Sequence, residues 1–535
     1  MQSNNQANTD QLDAIVVGAG FAGIYMLYKL RELGLTARVL EAGSGVGGTW
    51  YWNRYPGARC DIPSMEYSYQ FSEALQQEWE WTERYSSQGE ILDYANHVAE
   101  RFDLLRDMQF DTRVSGCDFD ETTRLWRVET NDGETFTARY VVMATGCLSM
   151  PNFPNIKGLD NFSKPIYHTG KWPQEGVDFT GMRVGIIGTG SSAVQSIPVI
   201  AEQAESLTVF QRTPNYSIPA RNHDLDPAFV ADIKSRYAQF RADNWQEGFG
   251  ANFTQREESV FEVSENERQR EFEARWAEGG LGFLGAFSDL VFDDQANATA
   301  RDFFAEKIAA KVDDPELANK LTPDTPIGCK RLCADTEYYE TYNQTHVTLI
   351  DIKEDPIVEI TAEAVVTGAT RTEVDALILA TGFDAMTGAV TNIDIRGLDG
   401  QRLQEKWAAG PKAYLGLATA GFPNLFLITG PGSPSVLSNM LPSIEQHVNW
   451  VSDCIGYMGE RQHTLIDAQE QAEDEWVDHV NETAEPTIFP HCNSWYLGAN
   501  IEGKSRVFMP YLGVPPYVEK CNEVVDGGYV GFDLN

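Results

Sequence analysis

The first apolar run of the chain opens into closely spaced glycines and is followed by helical periodicity. Residues 14–17 are apolar and lead into GAGFAG over residues 18–23. A further apolar run over residues 37–40 ends at Glu41. Between the two runs, apolar side chains recur at the spacing of one helix face, at Ala22, Met26, Leu30 and Leu33. The pattern predicts a strand, a tight turn, a helix and a second strand.

The same pattern occurs once more in the middle of the chain. Residues 184–187 are apolar and lead into GTGSSA over residues 188–193. A predicted helix follows, and a strand over residues 207–210 runs into Gln211. The chain therefore contains two predicted strand–turn–helix–strand units of the Rossmann type.

Three later runs and one polar region complete the predicted organisation. Residues 140–143 and 376–379 are buried-strand patterns that each end in Ala-Thr-Gly, and residues 424–428 form a late strand before a Gly/Pro/Ser loop. The region 221–329 is polar, acidic and rich in helix formers. We predict an α/β fold with two Rossmann-like dinucleotide-binding domains, the second inserted in the first, plus a helical subdomain. The expected limits are 1–146 and 386–535 for the first domain, 150–220 and 330–382 for the second, and 221–329 for the helical insert.

The glycines of both loops have a physical role in holding a dinucleotide. Gly18 allows the tight turn, Gly20 lets the backbone approach a pyrophosphate, and Gly23 lets helix and strand pack closely. In the second loop Gly188 and Gly190 occupy the first two of these places, while an alanine takes the third. The N–H groups at each helix start then face the phosphates.

The residue after the second strand of each unit distinguishes the two cofactors. Glu41 lies 23 residues after Gly18, and the same spacing from Gly188 falls on Gln211, with Arg212 and Thr213 next to it. A carboxylate accepts hydrogen bonds from a ribose 2′-hydroxyl and repels a 2′-phosphate, whereas an arginine pairs with that phosphate. We therefore predict FAD at the first loop and NADPH at the second, with Arg212 on the 2′-phosphate and Thr213 as a weaker neighbouring candidate.

Charge and cysteine usage narrow the classes of partner and compartment. The 535 residues include 41 Lys+Arg against 79 Asp+Glu, a formal net charge of −38, which excludes polyanions such as nucleic acid as natural partners. No apolar run reaches about 18 residues and no signal peptide is visible, so we expect no membrane association. The eight cysteines include no C-x-x-C pair and no metal-ligand spacing. We expect free thiols, Cys329 and Cys333 among them, in a reduced cytoplasmic protein without metal.

The segment from Phe162 to Pro173 carries a family resemblance. It reads FSKPIYHTGKWP and is similar to the signature F-x-G-x-x-x-H-x-x-x-W-P of type I Baeyer–Villiger monooxygenases, with Lys164 in place of the glycine. Phe162, His168, Trp172 and Pro173 match at the right spacings. The chain resembles these class B flavin monooxygenases over nearly its whole length, and the helical insert is the least similar part.

The resemblance implies an activity. Members of this family use FAD and NADPH to insert one oxygen atom of O2 next to a ketone carbonyl, which gives an ester or lactone through a C4a-peroxyflavin and a tetrahedral intermediate. Sulfide oxidation is implied as a further activity. The implied partners are a small-molecule ketone and O2, and we expect a monomer.

The resemblance also implies roles for particular residues. Arg331 is the implied catalytic cation that stabilises the oxyanion, and Asp61 is its orienting partner. His168 is implied at the domain junction, as a structural coupling residue and not a general base. The implied flavin contacts are Thr49, Trp50, Asp61 and Tyr67, with Val114 at the adenine. The NADP contacts are Gly188, Thr189, Gly190, Ser191, Ser192, Arg212, Thr213, Lys330, Arg331 and, on a mobile loop, Trp495. The implied substrate pocket contains Cys147, Ser435, Val436, Leu437 and Met440, and Cys147 stands where a family member has glutamine.

Three other classes of protein remain to be weighed. A flavin N- or S-monooxygenase is the nearest alternative, and the Trp172-Pro173 end of the signature and Arg331 favour the Baeyer–Villiger reading over it. A disulfide reductase needs a redox-active partner for Cys60, which the sequence around it lacks. A non-catalytic flavoprotein has no need for a second nucleotide surrounded by Arg212, Lys330 and Arg331.

Overall fold

The computed structural model describes residues 11–535, which form two nested nucleotide-binding units and a helical insert. The chain begins in the outer unit. Its first elements are β1 (Gln11–Val17), α1 (Phe21–Glu32), β2 (Ala37–Leu40), α2 (Thr49–Trp52), α3 (Glu73–Glu78), α4 (Gln88–Arg101), β3 (Met108–Gln109), β4 (Val114–Asp120), β5 (Leu125–Thr130) and β6 (Thr135–Met143).

The inner unit and the insert follow in the order that the sequence predicts. The first strands and helix of the inner unit are β7 (Ile166–His168), β8 (Arg183–Ile187), α5 (Ser191–Ala201), β9 (Ser206–Gln211) and β10 (Ser217–Pro219). The insert contains α6 (Pro227–Ser235), α7 (Tyr237–Asn244), α8 (Glu265–Glu278), α9 (Asp294–Lys311) and α10 (Pro315–Leu321).

The chain then completes the inner unit before it returns to the outer one. The inner unit ends with β11 (Cys333–Asp335), α11 (Tyr338–Thr341), β12 (Val347–Asp351), β13 (Ile357–Ile360), β14 (Ala364–Thr367), β15 (Arg371–Glu373) and β16 (Ala376–Leu379). The last elements are α12 (Gly388–Thr391), β17 (Asp394–Arg396), α13 (Leu403–Lys406), β18 (Leu425–Leu427), α14 (Met440–Arg461), β19 (Ile466–Ala468), α15 (Glu470–Ala484), α16 (Val514–Asp526) and β20 (Phe532–Leu534).

The outer sheet has eight strands in the order β17-β4-β5-β6-β1-β2-β3, with β18 also paired to β6. Strand β6 pairs with β5 along its first half and with β18 along its second half, where Val141 faces Leu425. Strands β1, β2, β6 and β18 are parallel. The sheet therefore joins residues from both ends of the described chain.

The inner sheet has five parallel strands in the order β12-β9-β8-β16-β7. Its glycine loop follows β8, which lies between β9 and β16, just as β1 lies between β2 and β6. The strands predicted over 207–210, 376–379 and 424–428 are confirmed as β9, β16 and β18. The predicted α/β fold with one nucleotide unit inserted in the other is thus observed, while the domain limits given above stay a prediction.

The helical insert packs mainly against the outer unit, although it interrupts the inner unit in sequence. Buried Phe240, Phe272 and Phe303 share a core with Tyr69 and Ile91 of the outer unit. Only the end of the insert, including Ile308 and Leu321, joins the core of the inner unit. The buried guanidinium of Arg241 donates to the backbone oxygen of Glu66 (3.1 Å) and to Ser68 Oγ (2.5 Å), which fixes the insert to the outer unit.

One sequence-based expectation about the cysteines is wrong. Cys329 is not free, because it forms a disulfide with Cys492, with the two Cα atoms 5.5 Å apart. The partners lie 163 residues apart in sequence, so no local spacing could indicate the bond. Cys333 is free, as expected, and so are the other five cysteines of the described chain.

Two absences among the described residues concern membranes and metal ions. Within residues 11–535 no helix is both long enough and apolar enough to cross a membrane. The same part of the chain brings no three His, Cys, Asp or Glu side chains together in a way that suits a metal ion.

Candidate functional site

The two glycine loops have the same local geometry. Gly18 has a φ of +105°, and a Cβ placed on it would lie 2.6 Å from the carbonyl oxygen of Ala144. Gly188 has a φ of +113°, and its added Cβ would lie 2.3 Å from the carbonyl oxygen of Ala380. Both alanines open an Ala-Thr-Gly sequence. Each Ala-Thr-Gly segment therefore lies against the first glycine of a nucleotide loop, and only glycine fits there.

The third glycine positions explain why one loop accepts alanine and the other does not. A Cβ on Gly23 would lie 1.8 Å from the backbone oxygen of Gly18, so a side chain is excluded. In the second loop the buried Ala193 takes this place. Beyond Gly190, by contrast, an added Cβ meets no protein atom within 4 Å. The second loop thus leaves open space at the helix start, where a phosphate fits.

Glu41 and Gln211 differ in more than charge. Glu41 is buried, and its carboxylate accepts hydrogen bonds from the N–H groups of Ala19 and Gly43, both at 2.7 Å. Burial raises the pKa of Glu41, and these two N–H groups oppose the rise. Each carboxylate oxygen keeps a lone pair for a ribose hydroxyl. Gln211, however, is buried, and its side-chain amide donates to the backbone oxygen of Lys320 (2.7 Å).

Two cations lie near the end of β9 without acidic partners among the described residues. Within residues 11–535 neither Arg212 nor Lys330 makes an ion pair or a side-chain hydrogen bond, although most other lysines and arginines of the chain do. Burial lowers the pKa of Lys330, and the neighbouring positive charge of Arg212 lowers it further. Two unpaired cations that repel each other are suited to a shared anion. Thr213 lies beside them, and its carbonyl oxygen accepts from Thr189 Oγ1 (2.7 Å).

The remaining residues of the second loop contact the inner unit. Ser191 Oγ lies 3.2 Å from Cys333 Sγ, and Ser192 Oγ donates to Thr169 Oγ1 at 3.0 Å. Helix α5 starts at Ser191 without a side-chain cap and without an acidic residue in its first turn. Its first N–H groups are therefore available to an anion.

Arg331 and Asp61 form an ion pair with two hydrogen bonds at the site. Arg331 Nε and Nη2 donate to the two carboxylate oxygens of Asp61, at 2.5 and 2.9 Å. Burial lowers the pKa of Arg331, and the Asp61 carboxylate more than offsets this, so that the net pKa is raised and the guanidinium stays charged. The predicted catalytic pair is thus in contact.

Two further groups hold the guanidinium in place. Arg331 Nη1 donates to the backbone oxygen of Val436 (3.0 Å), a residue of the predicted pocket. The ring of Phe249 lies under the guanidinium, with Arg331 Cζ 5.4 Å from the ring centre. Phe249 belongs to the helical insert, where no sequence motif could indicate it. Its backbone oxygen also accepts from Asn439 N (2.7 Å), so the insert reaches both the arginine and the start of α14.

The predicted pocket residues lie along one loop and its neighbour. Ser435 is fully buried, Val436 and Cys147 are nearly so, and Leu437 and Met440 are half-buried. Ser435 Oγ contacts Met386 Sδ at 3.7 Å, and the Met386 N–H donates to the backbone oxygen of Cys147 (2.7 Å). Met386 therefore joins the two parts of the pocket, a role that the sequence does not indicate.

The predicted flavin contacts surround α2 and the first glycine loop. Trp50 Nε1 donates to the hydroxyl of Tyr67 (3.1 Å), and Thr49 is exposed at the start of α2. An added Cβ on Gly48 would lie 2.8 Å from Gly20 Cα, so the loop that carries Thr49 lies directly on the glycine loop. Val114 is buried at the start of β4.

His168 lies where the two nucleotide units meet. It is buried, its Nδ1 accepts from the N–H of Gly170 (3.0 Å), and its Nε2 lies 3.3 Å from Thr381 Oγ1. Burial lowers its pKa, so the ring is neutral near pH 7. Thr381 Oγ1 also donates to the backbone oxygen of Asn152 (2.6 Å), which links both connections between the units. The structural role of His168 stays a prediction.

Two other signature residues, Phe162 and Trp172, are core side chains of the inner unit. Phe162 is buried in one core cluster of that unit and Trp172 in another, where Trp172 packs on Phe179. Trp172 N also donates to the backbone oxygen of Trp52 (3.3 Å), and Pro173 follows it directly. Lys164, which replaces the glycine of the signature, is exposed.

Trp495 is half-buried in a short 3-10 turn and packs against its neighbour with tilted rings. Its ring centre lies 4.2 Å from that of Tyr496, which is buried and electrostatically coupled to Arg331. The structure therefore brings the segment of Trp495 to the catalytic pair. No direct contact of Trp495 with Arg212 or Lys330 is present among the described hydrogen bonds.

The residues fit two dinucleotides. Both α1 and α5 start without a side-chain cap, as dinucleotide phosphates require. The acidic Glu41 after β2 matches FAD at the first loop, and the basic Arg212 after β9 matches NADPH at the second. The site can therefore hold two anionic cofactors, and it has a fixed cation, Arg331, next to the predicted pocket.

The chain is similar to known proteins over nearly its whole length. Residues 15–278 match the pyridine nucleotide-disulphide oxidoreductase family. A Baeyer-Villiger monooxygenase of Pseudooceanicola batsensis is 44% identical over 97% of this chain and 95% of its own. A phenazine N-monooxygenase of Lysobacter antibioticus is 43% identical over 98% of this chain and 97% of its own.

Solved structures are similar over the same length. A closed crystal structure of cyclohexanone monooxygenase has a TM-score of 0.97 at 43% identity, covering 98% of this chain and 99% of that one. An oxidised steroid monooxygenase bound to NADP has a TM-score of 0.93 at 51% identity, with the same coverage. A complex of OTEMO with FAD and NADP has a TM-score of 0.95 at 39% identity, again with the same coverage.

Proposed function

The chain belongs to the Baeyer–Villiger monooxygenases, and from this premise we propose that it converts a small-molecule ketone to an ester or lactone, with Arg331 as the stabilising cation. FAD and NADPH are its cofactors. FAD, when bound, supplies the oxygen chemistry, and one oxygen atom comes from O2. The observation that carries the proposal is the half-buried guanidinium of Arg331, fixed by Asp61 and by the Val436 carbonyl.

Arg331 would stabilise the negative charge that develops on the ketone oxygen. A permanently charged group that is already fixed in place acts strongly there because no reorganisation is needed when the charge develops. Asp61 holds the guanidinium through both of its oxygens, which sets the plane of the fork. The stacked ring of Phe249 limits its movement on one face.

Arg212 and Lys330 would hold the 2′-phosphate of NADPH, and the uncapped start of α5 its pyrophosphate. Glu41 would hold the ribose hydroxyls of FAD. Trp495 would cover the nicotinamide side, next to the catalytic pair. His168 would hold the two units in register and transfer no proton, since its imidazole is buried and hydrogen-bonded between them.

The protein is proposed to act as a monomer, because both nucleotide loops and the Arg331–Asp61 pair come from one chain. A cytoplasmic location stays a prediction from the sequence. Oxidation of sulfides by the same site is a further prediction, since a sulfur atom also accepts one oxygen atom.

Oxidation of a ring nitrogen is a second candidate activity, because one relative at 43% identity is named a phenazine N-monooxygenase. The two reactions make different demands on Arg331. A ketone develops an oxyanion when its carbon is attacked, whereas a heteroaromatic nitrogen attacks oxygen itself and places no charge on a carbonyl. Loss of Arg331 therefore affects ester formation more than N-oxide formation.

The test is a product assay on purified, FAD-loaded enzyme with NADPH and O2. Cyclic, linear and aryl ketones form one panel, and phenazine and an aryl sulfide form the other, with products identified by mass. Esters or lactones gained at the cost of one NADPH each support the proposal. Hydrogen peroxide as the sole product with every ketone would refute it, and N-oxide without ester would establish the second candidate instead.

A further inference from the structure

The segment from Cys492 to Lys504 is held at both ends, and the two ends are held differently. At its start, Cys492 is disulfide-bonded to Cys329, which directly precedes Lys330 and Arg331 in sequence. Trp495 and Tyr496 follow three and four residues later. The covalent bond therefore joins the segment of Trp495 to the segment that carries the two cations.

At its other end the segment makes polar contacts to the connections between the units. Asn500 Nδ2 donates to the backbone oxygen of Phe383 (2.6 Å), and the backbone oxygen of Asn500 accepts from Asn152 Nδ2 (3.2 Å). Lys504 Nζ pairs with Asp384 Oδ1 at 2.5 Å. Such contacts break and form again with domain motion, whereas the disulfide does not.

The disulfide lies in a small apolar cluster of its own. Cys329 and Cys492 are buried with Ile488 and pack against Val291, which precedes α9 in the insert. The N–H of Ile488 donates to the backbone oxygen of Val291 (3.0 Å). Removing the covalent bond would leave this cluster as the main attachment of Cys492 to the cation segment.

We propose that Cys329 and Cys492 form a reversible redox modification site, which keeps the segment of Trp495 seated on the NADP site when oxidised and releases it when reduced. The effect on NADP rests on the function proposed above. With the bond intact, the segment is ordered before the cofactor binds, so less conformational entropy is lost on binding. After reduction, the segment must become ordered when NADP binds, and the affinity for NADP decreases.

The chemical step is thiol–disulfide exchange with a dithiol reductant. A thiolate of the reductant attacks one sulfur, the Sγ–Sγ bond breaks, and a mixed disulfide forms. The second thiol of the reductant then displaces the enzyme sulfur, so two electrons and two protons end on Cys329 and Cys492 while the dithiol becomes a disulfide. Because both sulfurs are buried, exchange requires that the segment 488–492 first moves outward.

The other six cysteines make the site separable by experiment. They are free and buried, and none lies in residues 1–10. Denaturation in N-ethylmaleimide without reductant should label six of the eight cysteines, and prior treatment with dithiothreitol should label all eight. Eight labels without reductant would overturn the proposal outright. This count does not depend on any activity of the protein.

Segment mobility is the second readout, measured on the FAD-loaded protein by hydrogen exchange. Dithiothreitol should speed exchange over residues 488–504 and leave the inner sheet unchanged. The double variant Cys329→Ser/Cys492→Ser should behave like the reduced protein and should not respond to reductant. A matched control, Cys117→Ala in β4, should keep the response. Equal exchange of oxidised and reduced protein would refute the anchoring role.

Binding of NADP+ to the same samples completes the test. The reduced protein and the double variant should bind NADP+ on the order of fivefold more weakly than the oxidised protein, within the usual range of coupling between sites. Equal affinity would refute the link to the cofactor. Failure of every sample to bind NADP+ would contradict the proposed function instead, and the thiol count and exchange data would still decide the redox site.

Discussion

Arg331 and Asp61 lie 270 residues apart in sequence, yet their side chains meet in a two-bond ion pair at the boundary of both nucleotide units. Asp61 belongs to the outer unit, and Arg331 lies where the chain leaves the insert to re-enter the inner one. The pair thus ties the proposed flavin side to the proposed NADP side.

Replacing Arg331 by alanine should separate cofactor reduction from product formation. The cation that stabilises the oxyanion is lost, and removing one such group typically costs about 100-fold or more in rate. Ester formation should fall by at least that factor, while anaerobic reduction of the flavin by NADPH changes far less. Stopped-flow absorbance and product analysis measure the two steps.

Asp61→Asn should have a smaller effect on ester formation than Arg331→Ala has. The amide retains one acceptor for Arg331 but loses the charge and the second acceptor, so ester formation should fall by about tenfold. Exposed Arg236→Ala, which breaks only a surface pair with Asp232, serves as control and should leave the rate unchanged. A normal ester yield from Arg331→Ala would contradict its assigned role.

Arg212→Ala and Lys330→Ala should each reduce the preference for NADPH over NADH. A charge-assisted hydrogen bond to a phosphate contributes about 1.5–3 kcal/mol, so the KM for NADPH should rise by about 10- to 100-fold. The KM for NADH, which lacks the 2′-phosphate, should change little. Arg371→Ala, on an exposed strand of the inner unit, is the control. Parallel increases for both cofactors would argue against the phosphate assignment.

Gly190→Ala should weaken NADPH binding without weakening the fold. An added Cβ meets no protein atom within 4 Å, so it would occupy space that the phosphate needs. The melting temperature of the FAD-loaded protein should stay unchanged while NADP+ affinity falls by about tenfold or more. Gly188→Ala is the contrasting variant, because clash with Ala380 and a φ of +113° should lower the melting temperature itself. Unaltered NADP+ affinity in Gly190→Ala would place the phosphate elsewhere.

His447 should make the fold sensitive to acid. Burial lowers its pKa to about 3, and its neutral ring accepts from Thr429 N (2.8 Å) at Nδ1 and donates to Tyr517 at Nε2 (2.9 Å). The unfolded state binds the proton more readily than the folded state does. The contribution of the neutral His447 ring to the free energy of unfolding is therefore full above about pH 6.5 and is lost as the pH falls toward 3.

The measurement compares wild type with His447→Gln by urea unfolding at pH 7 and pH 5. Wild type should lose about 2 kcal/mol more over this interval than the variant. Buried Glu66 and Glu445, whose pKa values burial raises to about 7, titrate in the opposite sense and cancel because both proteins contain them. An identical pH dependence of the two proteins would show that His447 is not the responsible group.

The nucleotide units could be predicted from sequence because their signals are local. Gly18 and Gly188 are each followed within a few residues by the glycine or alanine that the turn requires, and the spacing to Glu41 and Arg212 follows from one helix and one strand. The strands over 207–210 and 376–379 were predictable for the same reason. Each strand contains a run of four residues that are mostly buried, so a short stretch of sequence is enough to indicate it.

Other features depend on contacts between distant parts of the chain. The Cys329–Cys492 bond spans 163 residues, and Phe249 reaches Arg331 from an insert without any motif. The Arg331–Asp61 contact was expected only through the family resemblance. The sequence gives no indication of the role of Met386, whose left-handed backbone conformation follows from no local pattern.

The outer sheet draws strands β17 and β18 from the last third of the chain. During synthesis the first six strands therefore leave the ribosome long before β6 can gain its partner Leu425 or the insert can bury Phe240 against completed neighbours. The five strands of the inner sheet are all present once residue 379 has emerged. We expect the NADPH unit to mature first and the FAD unit to wait for β18 and α14, so that nascent chains acquire flavin late.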